Sequence, residues 1–286
     1  MAVPPPTDVP RARRRRLPTG LVWGGSLFGL IVIAALFGPM LAPFPYDRMD
    51  IMARMTPPDA IHWLGTDEFG RDVLSRLLFG ARLSLLMGLG ATFVSLLLGV
   101  PLGLAAGYKG GRVDEAIMRG IDLVISVPPI LMGLLLLSLS TPNVWKTAVA
   151  VGIIYVPIMA RLTRAVTLEV AREEFVLAAR ARGERLWYIL AAEILPNAWP
   201  PIIVEAALRV TFAIMLGAAL SFLGLGVQPP SSDWGLMIAE ARPFIDTAPW
   251  VAIAPGVVLC LTVIAVNLIG DGLREVLDPR LRQVRG

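Results

Sequence analysis

Residues 83–106 read LSLLMGLGATFVSLLLGVPLGLAA, a stretch that contains no charged side chain. A helix rises about 1.5 Å per residue and the hydrocarbon core of a bilayer is about 30 Å thick, so this segment is long enough to cross a membrane. Its apolar residues are not confined to one face, as they are in a surface helix of a soluble protein. The segment therefore predicts a transmembrane helix.

Similar runs lie on both sides of this segment. Residues 21–41 and 251–269 are almost wholly apolar, and residues 202–227 and 116–139 carry few charges, although Pro128 and Pro129 interrupt the latter. Residues 147–160 are the weakest candidate because they fall short of the roughly 17 residues that a span requires. The pattern predicts an all-α integral membrane protein with about six transmembrane helices.

Composition excludes several classes of function. Of the 286 residues, 56% are hydrophobic and 17% are charged, and the mean hydropathy is +0.69. The pI of about 9.7 does not indicate nucleic-acid binding, because the basic residues flank the apolar runs instead of forming one stripe. The single His62 and single Cys260 exclude an ordinary His/Cys zinc site, and Cys260 is predicted to be a small buried hydrophobe.

The chain also lacks the motifs of an enzyme. No P-loop is present, since neither Lys109 nor Lys146 follows a glycine, and no serine-nucleophile or zinc-protease motif occurs. We therefore predict no catalytic, metal-binding or cofactor-binding residues.

Basic residues predict the orientation. Arg11 and residues 13–16, all arginine, precede the first span, and further basic clusters follow the second, fourth and sixth spans. The positive-inside rule then places both termini in the cytoplasm. The first outer loop opposes this rule, because it also contains arginines: Arg48, Arg54, Arg71, Arg76 and Arg82.

Within the spans, glycine and a few polar residues are the notable features. Gly99, Gly103 and Gly107 recur every four residues, a spacing that lets two helices approach closely, and Gly25 and Gly29 repeat it in the first span.

The polar residues favour local pairing. Glu205 and Arg209 are spaced to pair on one helix face, which we favour over an ion path. This pair is expected to lie toward the cytoplasmic end of its span, as are Arg119 and Asp122 in theirs. Asn267 and Thr262 are expected to form structural hydrogen bonds with neighbouring helices.

The stretch 169–183, EVAREEFVLAARARG, is too charged to enter lipid and is rich in helix formers. Gly183 is placed as a C-cap glycine, and Val170, Phe175, Val176 and Ala179 are expected to share part of one helix face. A second short helix is predicted over residues 184–195, ending at Pro196. A helix lying on the membrane surface is the alternative to an ordered loop that makes a specific contact.

Ala178-Ala179, then Gly183, then Glu193-Ile194-Leu195-Pro196 resembles the EAA loop of ABC importer permeases, although Leu177 and Glu193 depart from its pattern. Further resemblance lies in the segments 62–76, 80–85, 221–235, 267–274 and 277–280. From Leu21 onward nearly the whole chain resembles the C-type permease of the dipeptide/oligopeptide/nickel family.

That resemblance implies a type I ABC importer permease in the bacterial inner membrane. Its implied partners are a paralogous B-type permease, two cytoplasmic ATPases that carry the ATP and magnesium, an extracytoplasmic solute-binding protein and the lipid bilayer. The implied substrate is a di- or oligopeptide or a related solute such as a nickel complex. A secondary transporter or channel acting alone is the alternative. The implied ATPase-docking residues are Glu173, Leu177, Ala178, Ala179, Arg180, Gly183, Leu195 and Pro196.

The expected organisation has five parts. Residues 1–18 form a disordered basic cytoplasmic tail, 19–44 the first transmembrane helix and 45–80 a periplasmic loop. Residues 81–271 form the permease core, with five transmembrane helices and the EAA loop at 169–197. Residues 272–286 form a second cytoplasmic tail.

Overall fold

The computed structural model describes residues 18–138, 141 and 143–277, and within these ranges the chain is helical, with one isolated β-bridge between Thr66 and Asp72. In chain order the helices are α1 (Thr19–Leu41), α2 (Val73–Lys109), α3 (Gly111–Ile125), α4 (Pro129–Ser138), α5 (Val144–Val170), α6 (Glu174–Ala181), α7 (Leu186–Tyr188), α8 (Leu195–Phe222), α9 (Trp234–Ala241) and α10 (Pro249–Leu277). Short 3₁₀ turns occupy Ile51–Ala53 and Arg242–Phe244, and a π-helical turn occupies Ile189–Ile194.

Five of the described helical segments are long and apolar enough to cross a membrane: α1, α2, α5, the continuous segment Leu186–Phe222, and α10. The helices α3 and α4 together meet the same criteria but are bent by 87° at the break between them. Pro128 and Pro129 explain the break, because neither residue has a backbone N–H to continue the helix. The prediction of about six spans is confirmed, with α3 and α4 forming one broken span.

Several helices extend beyond the predicted spans. Helix α2 begins at Val73, well inside the expected 45–80 loop, because Asp72 caps it by accepting a 2.8 Å hydrogen bond from the Ser75 backbone N–H. The short fourth run lies in α5, which extends to Val170, and α10 continues past residue 272 to Leu277. The remainder of the two predicted tails, residues 1–17 and 278–286, lies outside the described residues.

The glycine repeat of α2 lies against α5, as predicted. A Cβ added at Gly99 would lie 2.7 Å from the Cβ of Met159, and one at Gly103 would lie 2.5 Å from the carbonyl oxygen of Ala160. One at Gly107 would lie 2.7 Å from the Cβ of Thr167. The two backbones therefore approach so closely that only glycine fits along this face of α2.

The first span does not follow its predicted pattern. Gly25 and Gly29 have no atom within 4 Å of an added Cβ, so neither makes a helix contact in this chain. The close contact is made by Gly24 instead, where an added Cβ would lie 2.7 Å from the Cβ of Leu268 on α10. Gly38 is equally close to α2, with its added Cβ 2.7 Å from the carbonyl oxygen of Leu78.

The arginines of the first outer loop include two that are buried. Arg71 and Arg76 are 1% and 0% exposed, and each donates a 2.6 Å hydrogen bond to the Asp67 carboxylate. Arg76 also donates to Glu240 of α9 at 2.6 Å. These two arginines are thus paired with carboxylates inside the folded connection between α1 and α2 and the first turn of α2, and are not free charges of a loop in water.

Other polar predictions had mixed outcomes. Thr211 donates a 3.3 Å hydrogen bond to Asn267, which joins α8 to α10 as expected, but Thr262 donates to Val258 of its own helix. Arg119 and Asp122 do not pair, since Arg119 bonds Glu115 and Asp122 bonds Arg161 of α5. The prediction for Cys260 is wrong, because the residue is exposed on the surface of α10.

Candidate coupling loop

The connection between α5 and α8 contains α6, which ends at Ala181 and is followed by Arg182 and the turn at Gly183. Gly183 has a φ of +74°, and the backbone N–H of Glu184 donates to the carbonyl oxygen of Ala179 at 3.2 Å. This is the hydrogen-bond pattern of a helix end with a left-handed glycine, so the predicted C-cap is confirmed. No atom lies within 4 Å of a Cβ added at Gly183, so the demand for glycine in this chain comes from the backbone angle alone.

The inner face of α6 is fixed to the ends of the membrane helices. Val176 and Ala179 are both fully buried, and they belong to one apolar cluster with Leu104 of α2, Met159 of α5 and Ile202 of α8. Because three long helices contribute to this cluster, a displacement of α6 must either move their ends or break the cluster. The loop is therefore a rigid attachment and not a tether.

Two of the implied docking residues make contacts within the chain. Ala179 lies inside the chain, so a bulky side chain there would disrupt the apolar cluster before it met any partner. Arg180 does not simply face water, since its Nε donates a 3.1 Å hydrogen bond to the Tyr108 hydroxyl and its guanidinium lies 4.4 Å from that ring. Arg180 thus attaches α6 to the end of α2.

The outer face of α6 is the surface available to a partner. Leu177 is 50% exposed, and Ala178 is also exposed. Large apolar side chains that were not predicted for the site lie nearby, Phe175 at 38% exposed, Leu186 at 39% and Trp187 at 66%. Their presence in an otherwise charged segment was the signal that would have identified them, because exposed apolar clusters mark interaction surfaces.

The second predicted helix has a different form. Residues 186–188 form one α-helical turn, the π-helical turn follows, and the chain then enters α8 without a stop. Pro196 is the second residue of α8 and lies inside the continuous helical segment Leu186–Phe222, so it does not end the helix as predicted. The loop that was expected to reach residue 197 therefore leads directly into a membrane span.

The predicted site residues fall into four groups. Leu177 and Ala178 are on the outer face of α6, and exposed Glu173 precedes it, its carbonyl oxygen accepting from the Leu177 N–H at 3.1 Å. The apolar cluster under the loop includes Ala179 and half-buried Leu195, and Gly183 forms the turn after α6. Arg180 attaches α6 to α2. Exposed Pro196 lies in the first turn of α8. Together they form a structured surface at the end of the helix bundle, which is suited to transmitting a push.

Comparison with known sequences supports this interpretation. Residues 99–283 match the family described as "binding-protein-dependent transport system inner membrane component", and residues 19–58 match the N-terminal transmembrane domain of oligopeptide transport permease C.

Individual relatives are similar over most of their length. The chain is 41% identical to the dipeptide transport system permease protein DppC of Alkalihalophilus pseudofirmus, covering 90% of this chain and 86% of that one. It is 42% identical to the di/tripeptide transport system permease protein DppC of Pseudomonas aeruginosa, with 91% and 88% covered. It is 40% identical to the glutathione transport system permease protein GsiD of Pectobacterium atrosepticum, with 94% and 90% covered.

The fold has a counterpart among solved structures. A chain of the MetNI methionine ABC transporter in an inward-facing conformation superposes with a TM-score of 0.58 at 18% identity, covering 70% of this chain and 94% of that chain. This likeness shows the fold. The family match covers more than half of the sequence, so the chain belongs to the binding-protein-dependent transport system inner membrane component family and is a permease subunit of an ABC importer.

Proposed function

We propose that this permease pairs with a related second permease and that two cytoplasmic ATPases, which carry the ATP and magnesium, dock on the coupling loops of the pair. An extracytoplasmic solute-binding protein delivers the substrate to the outer side. Both termini and the loop at residues 171–194 lie in the cytoplasm. The observation that carries this proposal is the structured loop, whose inner face is built into three membrane helices and whose outer face exposes Leu177, Ala178 and Trp187.

The mechanism follows from this attachment. Closure of the ATPases on ATP pushes the outer face of α6, and the apolar cluster passes the displacement to α2, α5 and α8. The hydrolysis itself belongs to the partner chains. This subunit supplies a docking surface and one wall of a path, and the movement of α6 switches that path between its inward- and outward-facing states.

The proposed substrates are dipeptides, oligopeptides or related small solutes, with a nickel complex as a lesser alternative. The support is that relatives covering most of this chain carry the names of dipeptide, di/tripeptide and glutathione permeases. The choice within this class rests largely with the binding protein, which is a separate chain.

The test is retention of the ATPases. Ala178→Trp adds a large side chain to the exposed outer face of α6, so purified complexes of this variant should lose both ATPase subunits and substrate-stimulated ATP hydrolysis. Ala60→Trp is the matched control, because Ala60 is also exposed but lies in the outer loop. If the Ala178→Trp complex keeps its ATPases and its stimulated hydrolysis, the loop is not the coupling element.

A further inference from the structure

An ion pair within the membrane-spanning part of α8 has no role in the coupling loop. Arg209 Nη2 lies 2.8 Å from Glu205 Oε1, and the two side chains are 11% and 18% exposed. The Arg209 guanidinium lies 4.7 Å from the ring of Phe212 and 5.5 Å from the ring of Tyr155 on α5. The pair therefore combines a carboxylate, a guanidinium and two aromatic rings in one cluster.

The cluster lies deep in the bundle. Arg209 is near the middle of α8, about 20 Å from either end at the usual helical rise. Tyr155 is likewise near the middle of α5. Two separate helices that are each long and apolar enough to span a membrane thus carry this charged cluster near their midpoints, and ionisable side chains within spans are costly and are usually retained for a path or a ligand.

A groove leads from the cytoplasmic end toward this cluster. It has a volume of about 410 Å³ and runs over the face of α8 between α5 and α10, and Glu205 forms part of its lining. The remaining lining residues are Leu162, Asn197, Pro200, Pro201, Val204, Arg274 and Leu277. Glu205 thus faces this open groove, and Arg209 lies one turn further into the membrane on the same side of α8.

Internal bonds do not saturate the cluster. Arg209 Nε is buried and has no hydrogen-bond partner among the described residues. Beyond it, Phe212 is 45% exposed, so the face of α8 above the pair is also uncovered in this chain. An arrangement that served only to hold two helices together would be expected to bury the pair and satisfy its donors.

We propose that Glu205 and Arg209 form a polar station on the translocation path, where Glu205 receives cationic groups of a passing peptide and Arg209 receives carboxylates. This inference rests on the proposed function, because it takes the substrate to be a peptide and the second permease to close the far side of the groove. Peptides carry both an ammonium and a carboxylate, so a pair that offers both charges suits this class. The aromatic rings hold the guanidinium in place between substrates.

The experiment reverses the pair without removing it. The double variant Glu205→Arg with Arg209→Glu keeps an ion pair at the same spacing but exchanges the charges along the path. Complexes with the binding protein and ATPases are reconstituted in vesicles, and ATP-driven uptake of Ala-Ala, Lys-Lys and Glu-Glu is measured at saturating binding protein. The reversed pair should change the ratio of Glu-Glu to Lys-Lys uptake by about tenfold while stimulated ATP hydrolysis persists.

Matched variants separate the outcomes. Reversal of the exposed pair Glu115 and Arg119 on α3 is the control and should leave the ratio unchanged. If the reversed α8 pair does not assemble, Glu205→Gln and Arg209→Gln serve instead, the first lowering Lys-Lys uptake and the second Glu-Glu uptake. Wild-type ratios in assembled α8 variants would refute the station but not the proposed function. A wild-type complex that hydrolyses ATP and imports none of the three peptides would refute the station and the peptide part of the proposed function.

Discussion

Gly103→Ala tests the contact that fixes α2 against α5. An added Cβ would lie 2.5 Å from both the carbonyl oxygen of Ala160 and the Cβ of Thr163, and 2.9 Å from the backbone nitrogen of Arg164. Ordinary carbon contacts begin near 3.5 Å, so the two helices must separate by about 1 Å at this point. Two of the three opposing atoms belong to the backbone, so no side-chain rotation relieves the overlap.

The magnitude follows from two opposing effects. Overpacking of a tight interface costs about 1–3 kcal/mol, and separation at Gly103 also loosens the neighbouring contacts at Gly99 and Gly107. Replacement of glycine by alanine in a helix offsets about 1 kcal/mol of this cost. The net loss is up to about 2 kcal/mol, which lowers the apparent melting temperature by up to several degrees for a chain of this size. Gly103→Leu should prevent assembly altogether.

The assay is the thermal stability of the detergent-purified subunit, followed by the loss of its monodisperse chromatographic peak on heating. Gly25→Ala is the matched control, because Gly25 is in a membrane helix and an added Cβ meets no atom within 4 Å. It should leave the melting temperature unchanged or slightly raised. Equal melting temperatures for Gly103→Ala and Gly25→Ala would show that α2 and α5 are not in close backbone contact and would refute the reasoning.

Three further predictions concern the loop, the outer layer and the orientation. Gly183→Val should abolish coupled transport while membrane insertion persists, because a β-branched residue at φ +74° costs about 1–2 kcal/mol. Gly183→Asn should keep most of the activity, because an asparagine side chain tolerates this angle. A fully active Gly183→Val variant would contradict the argument from the backbone angle. Burial raises the pKa of Glu68 above its ordinary 4.5, so the folded state binds the proton more tightly and its stability falls as pH rises through that range. Glu68→Gln should therefore be more stable than the wild type at neutral pH, with the advantage shrinking toward pH 4.5 in thermal melts; a pH-independent difference would contradict this assignment. In a Cys260→Ala background, Met52→Cys should react with an impermeant thiol reagent in intact cells, whereas Lys109→Cys should react only after lysis. The reason is that Met52 precedes α2 and Lys109 ends it, so the proposed orientation places them on opposite sides of the membrane. The reverse labelling pattern would overturn that orientation.

Periodicity and composition were sufficient for the class of fold and the number of spans. Apolar runs such as residues 83–106 have only one stable environment, because a backbone that crosses lipid must satisfy its hydrogen bonds within a helix. Gly183 and the charged segment before it were likewise enough to predict the helix and its C-cap, since both are local properties of the chain. The EAA resemblance of residues 178–196 then singled out this segment as the candidate coupling loop.

Hydrophobicity could not determine which face of each helix meets another helix. In a membrane protein the surface that faces lipid is as apolar as the surface that faces protein, so Gly24 and Gly25 were equivalent in the sequence although only Gly24 contacts α10. For the same reason Cys260 was wrongly expected to be buried.

Long-range contacts decided the remaining features. The burial of Arg71 and Arg76 depends on Glu240, far along the chain, and the stacking of Arg209 on Tyr155 depends on the packing of α8 against α5. Ala179 is inside and Ala178 outside only because α6 rests on the ends of three membrane helices. The sequence alone determined which segments are helical and which cross the membrane, because those properties depend on local hydrogen bonding and hydropathy. The tertiary structure decided which side chains those helices present to each other, because that depends on partners that no local pattern encodes.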